Sequence, residues 1–434
     1  MSQRDSRAFW VLWLGQLVSN LGTQVSLYAL GLWLYQRHEQ LAAFAVVAIA
    51  VQLAKLLVLP LLGRKLALWP RRRVMLVAHG IGSGCTLLLA SYLLSGGGSL
   101  LLALACIATA AAAEATLTLC FSTLIPVLVA RERLGAVSGL FASWDGAVVM
   151  AAPFLGALLV FSTGLVGVLV VDGLTSLLAA ACTAWVLIPT VIPSATAGTP
   201  QLLGSGVRAA VAELMQQRRW RPLLLLNTLV AGSLAAVEVA FPAWVVSAFG
   251  VGRLSGAMAL GGLFYLLGTR LWARCWATAQ PAAWPLLLGR ALLLQGVLLT
   301  GCGLLIFQAR TGPLAVVWFA AVAAFGLAVP LVLAALQALW QWQIPAPLQP
   351  RLFAGRYSLE ACARLVALLG ITALADRVLA PVVFWPHWPA WLLNALGTGA
   401  GRPIAMALGL LGWIVILPVF TQWRSLGRIG RAEA

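Results

Sequence analysis

The sequence predicts an all-α membrane protein of twelve spanning helices arranged as two six-helix bundles. Apolar residues fill 62% of the 434 positions and charged residues only 9%, against roughly 45–50% and about 25% in soluble domains. Charges, glycine clusters and prolines divide the chain into twelve apolar stretches, each close to the ~20 residues that cross a hydrocarbon core. Lysine and arginine gather on alternate connections, which gives the stretches a consistent sidedness.

The first six stretches lie near 9–35, 41–62, 74–95, 99–128, 136–160 and 164–189. The first follows MSQRDSRAFW, is too long for the core of a signal peptide and lacks a small-residue cleavage site, so it is expected to stay in the mature protein. Gln16, Asn20, Gln24 and Tyr28 recur there every four residues with Ser19 and Thr23 alongside, giving one polar face. Lipid does not tolerate such a stripe, so it is expected to line a central cavity, with an interhelical hydrogen-bond seam as the alternative. Stretch 2 holds Lys55, roughly 12 Å before Gly63. Lys55 is placed either to snorkel or to meet an acid such as Asp145 or an anionic substrate. GRKLALWPRRR (63–73) then concentrates Arg64, Lys65, Arg71, Arg72 and Arg73 between stretches 2 and 3, as a loop against anionic headgroups would. His79 stands isolated in stretch 3. Stretch 4 carries Glu114, with Thr118 and Ser122 at four-residue steps. Stretch 5 carries Asp145 and then Pro153 and Gly156, a kink and a small residue that suit close helix packing. Asp172, in stretch 6, reads as a helix cap.

A linker spans 190–222. IPTVIPSATAGTP suits a flexible turn, and Val207, Ala210, Val211 and Leu214 follow helical spacing, as in a short amphipathic helix on the membrane surface. The expected organisation is thus a bundle over 1–189, the linker, and a bundle over 223–434.

The second six stretches lie near 223–248, 256–273, 285–307, 314–342, 357–379 and 404–422. Stretch 7 puts Asn227 and Glu238 eleven residues apart, about three turns and so on one face. Arg290 reads as snorkelling from stretch 9, and Gln337 and Gln341 sit at the inner end of stretch 10, where entering substrate would meet them. Arg351 and Arg356 precede stretch 11, in which Glu360 and Arg364 have the spacing and order of a helical ion pair with a structural or gating role. Tryptophans such as Trp69, Trp340, Trp342, Trp385, Trp388 and Trp391 are expected as interfacial anchors.

Twenty Lys and Arg fall on the side of the two termini and five on the other, so both termini are expected in the cytoplasm. The formal charge of +17 is scattered between apolar runs rather than gathered on one solvated face, which excludes a nucleic-acid partner. The seven cysteines show no CxxC pair and no metal spacing and read as small buried hydrophobes. No catalytic set clusters in the sequence, and no cofactor is expected.

Two six-helix halves around a cytoplasmic linker is the plan of the major facilitator fold, whose halves rock about a site near the bilayer midplane. FWVLWLGQLVSNLG, LIPVLVARERLGAVSGL, PFLGALL, VDGLTSLLAA and WQIPAPLQPRLFAGR resemble the bacterial branch of the major facilitator superfamily that includes macrolide-efflux and enterobactin-exporter proteins. ADRVLAP (375–381) and GTGAGRPIAMALGLLG (397–412) resemble a sub-branch often associated with peptide-synthetase pathways. In the superfamily's loop signature between spans 2 and 3, Gly63, Arg71 and Arg72 fit, but Ala67 stands where the resemblance implies a gate-locking Asp and Leu68 where it implies a basic residue. Ala152, Pro153, Gly156 and Ala157 resemble a degraded form of the GPxxGG signature of exporting antiporters.

The resemblance implies a secondary exporter of a bulky amphipathic molecule (a peptide metabolite, a siderophore or a macrolide-like drug) in a bacterial inner membrane. Protons, membrane lipids and the substrate are its expected partners, and it is expected to be a monomer. Antiport needs carboxylates in the spans, because a desolvated carboxylate exchanges protons near neutral pH. Asp145, Glu114 and Glu238 are the candidates. Ala67 leaves a proton-independent facilitator or lipid flippase open, and a scaffold that has lost transport is the reading from another class.

Overall fold

The computed structural model describes residues 3–38, 41–65, 69–129, 134–186, 207–249, 251–276, 283–305, 313–345, 348–383 and 401–429. Among them every regular element is helical. The helices are α1 (Gln3–His38), α2 (Leu41–Lys65), α3 (Arg71–Leu94), α4 (Leu100–Leu128), α5 (Leu134–Trp185), α6 (Val207–Gln216), α7 (Arg221–Phe249), α8 (Val251–Leu271), α9 (Trp284–Thr300), α10 (Pro313–Gln343), α11 (Gln349–Ala373) and α12 (Arg402–Ile429). π-helical turns extend α8 over Trp272–Trp276, α9 over Gly301–Leu305 and α11 over Leu374–Leu379.

Each expected stretch coincides with a helix, and stretches 5 and 6 are the two arms of α5. The arms part at Gly164, whose φ of 70° is left-handed, a conformation that glycine adopts without the Cβ penalty. Just before the break the Ser162 and Thr163 hydroxyls donate to the carbonyls of Leu158 and Leu159, satisfying groups that the helix end releases. The α3–α4 turn works likewise: Gly96 is left-handed at φ 81°, and the Ser99 side chain caps α4 by accepting from the Leu102 N–H.

Eight helical stretches among the described residues are long and apolar enough to cross a membrane, and Val46–Leu62 is a shorter apolar helix. Their outer surfaces carry Phe161 at 92% exposure, Leu101 at 78% and Leu57 at 74%. Surfaces that apolar suit acyl chains.

The chain forms two compact units. One comprises Met1–Val137, Trp144–Gln217 and Gln341–Cys362, and the other Ser138–Ser143, Arg218–Trp340 and Ala363–Ala434. The first is cored by apolar residues of α1 to α5, among them Leu30, Val51, Leu89, Ile107 and Leu169. In the second, Phe241 and Trp244 of α7 meet Trp318 of α10, with ring centroids 6.3 and 6.1 Å apart, beside Ile371 and Leu408. Here α9 and α12 touch backbone to backbone: a Cβ on Gly412 would fall 2.5 Å from the Gly296 carbonyl oxygen. Small residues at such crossings replace the hydrophobic drive that lipid cannot supply.

Two expectations fail here. Trp340 is fully buried in the second unit rather than anchored at an interface, although Trp69 is half-exposed. Burial inside protein satisfies an apolar ring as well as an interface does. Of the seven free cysteines, Cys275 and Cys362 are exposed rather than buried, because a side chain that small gives up little apolar burial when it is exposed. The side chains of Asp145 and Pro153, the surroundings of Gly63, and Ala67, Leu68, Trp385, Trp388, Trp391 and residues 190–206 lie outside the described residues.

Candidate functional site

In the first unit the polar face of α1 meets polar groups of α3 and of the second arm of α5. The Gln16 amide donates to His79 Nε2 at 2.7 Å, the Ser19 and Ser176 hydroxyls lie 3.1 Å apart, and the Thr23 hydroxyl donates to the Asp172 carboxylate at 3.1 Å. This part of the stripe is therefore an interhelical seam, while Asn20, Gln24 and Tyr28 are half-buried beside it. Tyr28 packs against Gly156, where a Cβ would fall 2.8 Å from the ring. His79, isolated in sequence, is fully buried and partnered in space.

Asp172 is not a cap. It lies about two turns inside the second arm of α5, only 4% exposed. The helix begins at the glycine break, which carries Asp172 past the terminus and turns it onto α1. Gly22 lets it approach, since a Cβ there would lie 3.0 Å from Asp172 Oδ1 and 3.2 Å from its Cα. Two adjoining cavities open at Asp172. One, of about 30 Å³, is bordered by Thr23, Ser26, Thr86, Cys85, Cys106 and Asp172. The other, of about 10 Å³, is bordered by Thr23, Thr86, Glu114, Asp172 and Ser176. Glu114 and Asp172, from different helices, thus share one wall. Glu114 and Thr118 are half-buried, whereas Ser122 is fully buried and donates to the Leu119 carbonyl.

Within the first unit, arginines bind backbone carbonyls and an acid. Arg71 donates to the Thr123 carbonyl at 3.1 Å, and Arg72 to those of Thr183 and Ala184 at the end of α5. Arg351, only 8% exposed, pairs with Glu213 of α6, and Ala210 and Val211 of that helix pack on Gly355. Lys55 is half-buried on α2, and Gln341 is buried in this unit.

Glu360 and Arg364 do not pair with each other. Arg356 bonds Glu360 at 2.6 Å, because its guanidinium lies 5.8 and 5.1 Å from the Phe353 and Tyr357 ring centres and so beside that carboxylate. Arg364 instead reaches Glu238 of α7 at 2.7 Å within the second unit. Glu238 lies about three turns from the Phe249 end of α7 and Arg364 about four from the Gln349 end of α11. Their side chains are 49% and 29% exposed. Charges exposed at that depth belong to a water-lined face rather than to hydrocarbon. Asn227, expected on the face of Glu238, is buried, as is Gln337. Arg290 is exposed on α9.

The Major Facilitator Superfamily model matches residues 12–354. The chain belongs to the major facilitator superfamily. It is accordingly a multi-pass membrane transporter of small molecules and not an enzyme. Among solved structures, this superfamily member is similar to the human organic anion transporter MFSD10 (TETRAN), with TM-score 0.70 and 15% identity over 96% of this chain and 99% of that one. A bacterial homologue of the iron transporter ferroportin, outward-facing, gives 0.68 at 17% identity over the same shares. Its form with soaked iron gives 0.65 at 16%. At these identities the likeness concerns the fold alone. No curated protein matches the chain in sequence.

Asp172 is the residue that sequence reasoning misplaced. The signal was present in the spacing: Ser19, Thr23 and Ser26 on α1 and Asp172 and Ser176 on α5 repeat at three or four residues, as two polar faces that mate do.

Proposed function

We propose that this transporter exports a bulky amphipathic small molecule in exchange for protons by alternating access. The observation that carries the reading is the Glu238–Arg364 pair, half-exposed in the middle of two spans, because a polar, hydrated surface at that depth is what an amphipathic cargo needs. The halves 1–189 and 223–434 move as bodies, and Asn20 and Gln24 in the first and Glu238 in the second are the groups proposed to meet cargo. Both termini face the cytoplasm of a bacterial inner membrane, on the strength of the twenty-to-five charge bias, and the protein works as a monomer. The residue pattern of Pro153 and Gly156 supports export, and the quoted motifs support the macrolide-efflux and enterobactin-exporter branch. Carboxylates in the spans supply the proton coupling.

The test compares the small molecules retained and released by cells with and without the protein, followed by a pH-dye assay in proteoliposomes with a macrolide, a catechol siderophore and a lipopeptide. Export with coupled proton flux is expected. Unchanged release and unchanged drug susceptibility overturn the reading. Ala67, in place of the expected gate Asp, favours one second reading, a proton-independent facilitator, for which substrate would move without proton flux.

A further inference from the structure

We infer that the exported molecule carries a carboxylate, and that Arg364 receives it in place of Glu238. The inference rests on the proposed export of an amphipathic cargo and names the group by which the second unit recognises that cargo.

The Glu238–Arg364 pair is poorly suited to holding the fold. Both side chains are well exposed, so the pair belongs to the class of ion pairs that add little to stability, although placing either charge in a span is costly. The packing of α7 on α11 has other supports. A Cβ on Gly232 would fall 3.3 Å from the Ala363 carbonyl oxygen, which brings the two backbones together one residue before Arg364, and Phe241, Trp244 and Ile371 join the same apolar core. Charges kept at that depth without a structural need point to a ligand.

The chemistry of that ligand follows from what Arg364 now holds. A guanidinium offers five N–H donors in a planar fork and accepts nothing. Arg364 Nη2 donates to Glu238 Oε2 at 2.7 Å, the one side-chain hydrogen bond it makes among the described residues, and part of the fork stays open to water. A carboxylate therefore already fits the site. A carboxylate on a free molecule engages two donors at once, the stronger, forked arrangement that a guanidinium favours. Glu238 is the more exposed partner, so it turns into water when displaced, and the exchange makes and breaks only hydrogen bonds. Along α7, Leu234 one turn before Glu238 and Phe241 one turn after it are half-buried and share its face by their spacing. They offer apolar surface to the body of an amphipathic acid whose charged end reaches Arg364.

The experiment is a calorimetric titration of the purified full-length protein, in nanodiscs of zwitterionic lipid, with naphthylacetate and with its uncharged counterpart naphthylacetamide. The acid should bind at least about tenfold more tightly than the amide, and Arg364→Gln should abolish that preference. Glu238→Gln should tighten binding of the acid by about threefold to fivefold, because the neutral amide no longer competes for the guanidinium; a pair with a purely structural role would not give that gain. The absence of a preference for the acid, or weaker binding of the acid in Glu238→Gln, overturns the inference. If Arg364→Gln does not fold, Arg364→Lys serves: it keeps the charge and loses the fork, so a reduced preference supports the site and an unchanged one refutes it. Binding needs no transport, so a preference for the acid in a protein whose loss leaves every released compound unchanged sinks the exporter reading and leaves the site standing. Export that Arg364→Gln leaves intact does the reverse.

Discussion

Gly22→Ala tests the α1–α5 seam at its tightest point. The added methyl would lie 3.0 Å from Asp172 Oδ1 and 3.2 Å from Asp172 Cα, and against Thr175 Oγ1. The Asp172 backbone cannot yield alone, and the Thr175 hydroxyl is held at 2.8 Å by the Asp172 carbonyl, so rotating it away forfeits that bond. Overpacking of this kind costs about 1–3 kcal/mol, and the lost bond adds about 1 kcal/mol. Alanine in a helix interior returns about 1 kcal/mol over glycine. The net expectation is a loss of about 1–3 kcal/mol. Gly84→Ala on α3 is the matched control, because its Cβ would meet nothing within 4 Å, leaving only the helical gain. Thermal unfolding of the purified protein in detergent should put Gly22→Ala below the parent and Gly84→Ala at or above it. Equal midpoints for the two variants would refute the close approach of α1 to Asp172.

Other outcomes follow from the remaining polar contacts. The Glu213–Arg351 pair is partly buried, at 27% and 8% exposure, so removing either partner should cost about 2 kcal/mol, below the 3–5 kcal/mol of a fully buried pair. A double-mutant cycle of Glu213→Gln and Arg351→Met should show coupling of about 1 kcal/mol or more, and additive losses would contradict the pairing. Arg72 binds two carbonyls at the end of α5, so Arg72→Ala should lower the unfolding midpoint by the equivalent of about 1–2 kcal/mol. Arg72→Lys should rescue little, because an ammonium cannot reproduce the forked donor; full rescue would show that charge alone matters. Arg364→Gln should change stability by less than about 1 kcal/mol if its face is wet, whereas an orphaned Glu238 in hydrocarbon would cost about 3 kcal/mol.

The fold was legible because lipid imposes a simple rule: a span must be long, apolar and helical. Each stretch became a helix, and even the break within α5 fell at Gly164, where the sixth stretch was expected to begin. Side-chain partners were less legible, because a four-residue spacing admits two choices. Glu360 has a basic residue four before it and another four after it, and only the ring stack on Phe353 and Tyr357 decides for Arg356. Asp172 misled for a related reason: the break at Gly164 fell where it was expected, leaving Asp172 about two turns past it and too deep to cap, and a single Asp does not say which neighbouring helix it faces. The α1 stripe was read correctly as polar, but periodicity does not say whether a polar face meets water or another helix. Ser19 and Thr23 turned out to meet Ser176 and Asp172.

Water access to the Glu238 face decides the central claim most directly. In a background with Cys275 and Cys362 replaced by Ser, a cysteine at Glu238 should react with a small charged maleimide in lipid nanodiscs. One at Leu263, 55% exposed on an apolar helix, should not. Reaction at 238 and protection at 263 is the result a hydrated transport surface predicts. Protection at both positions would contradict it.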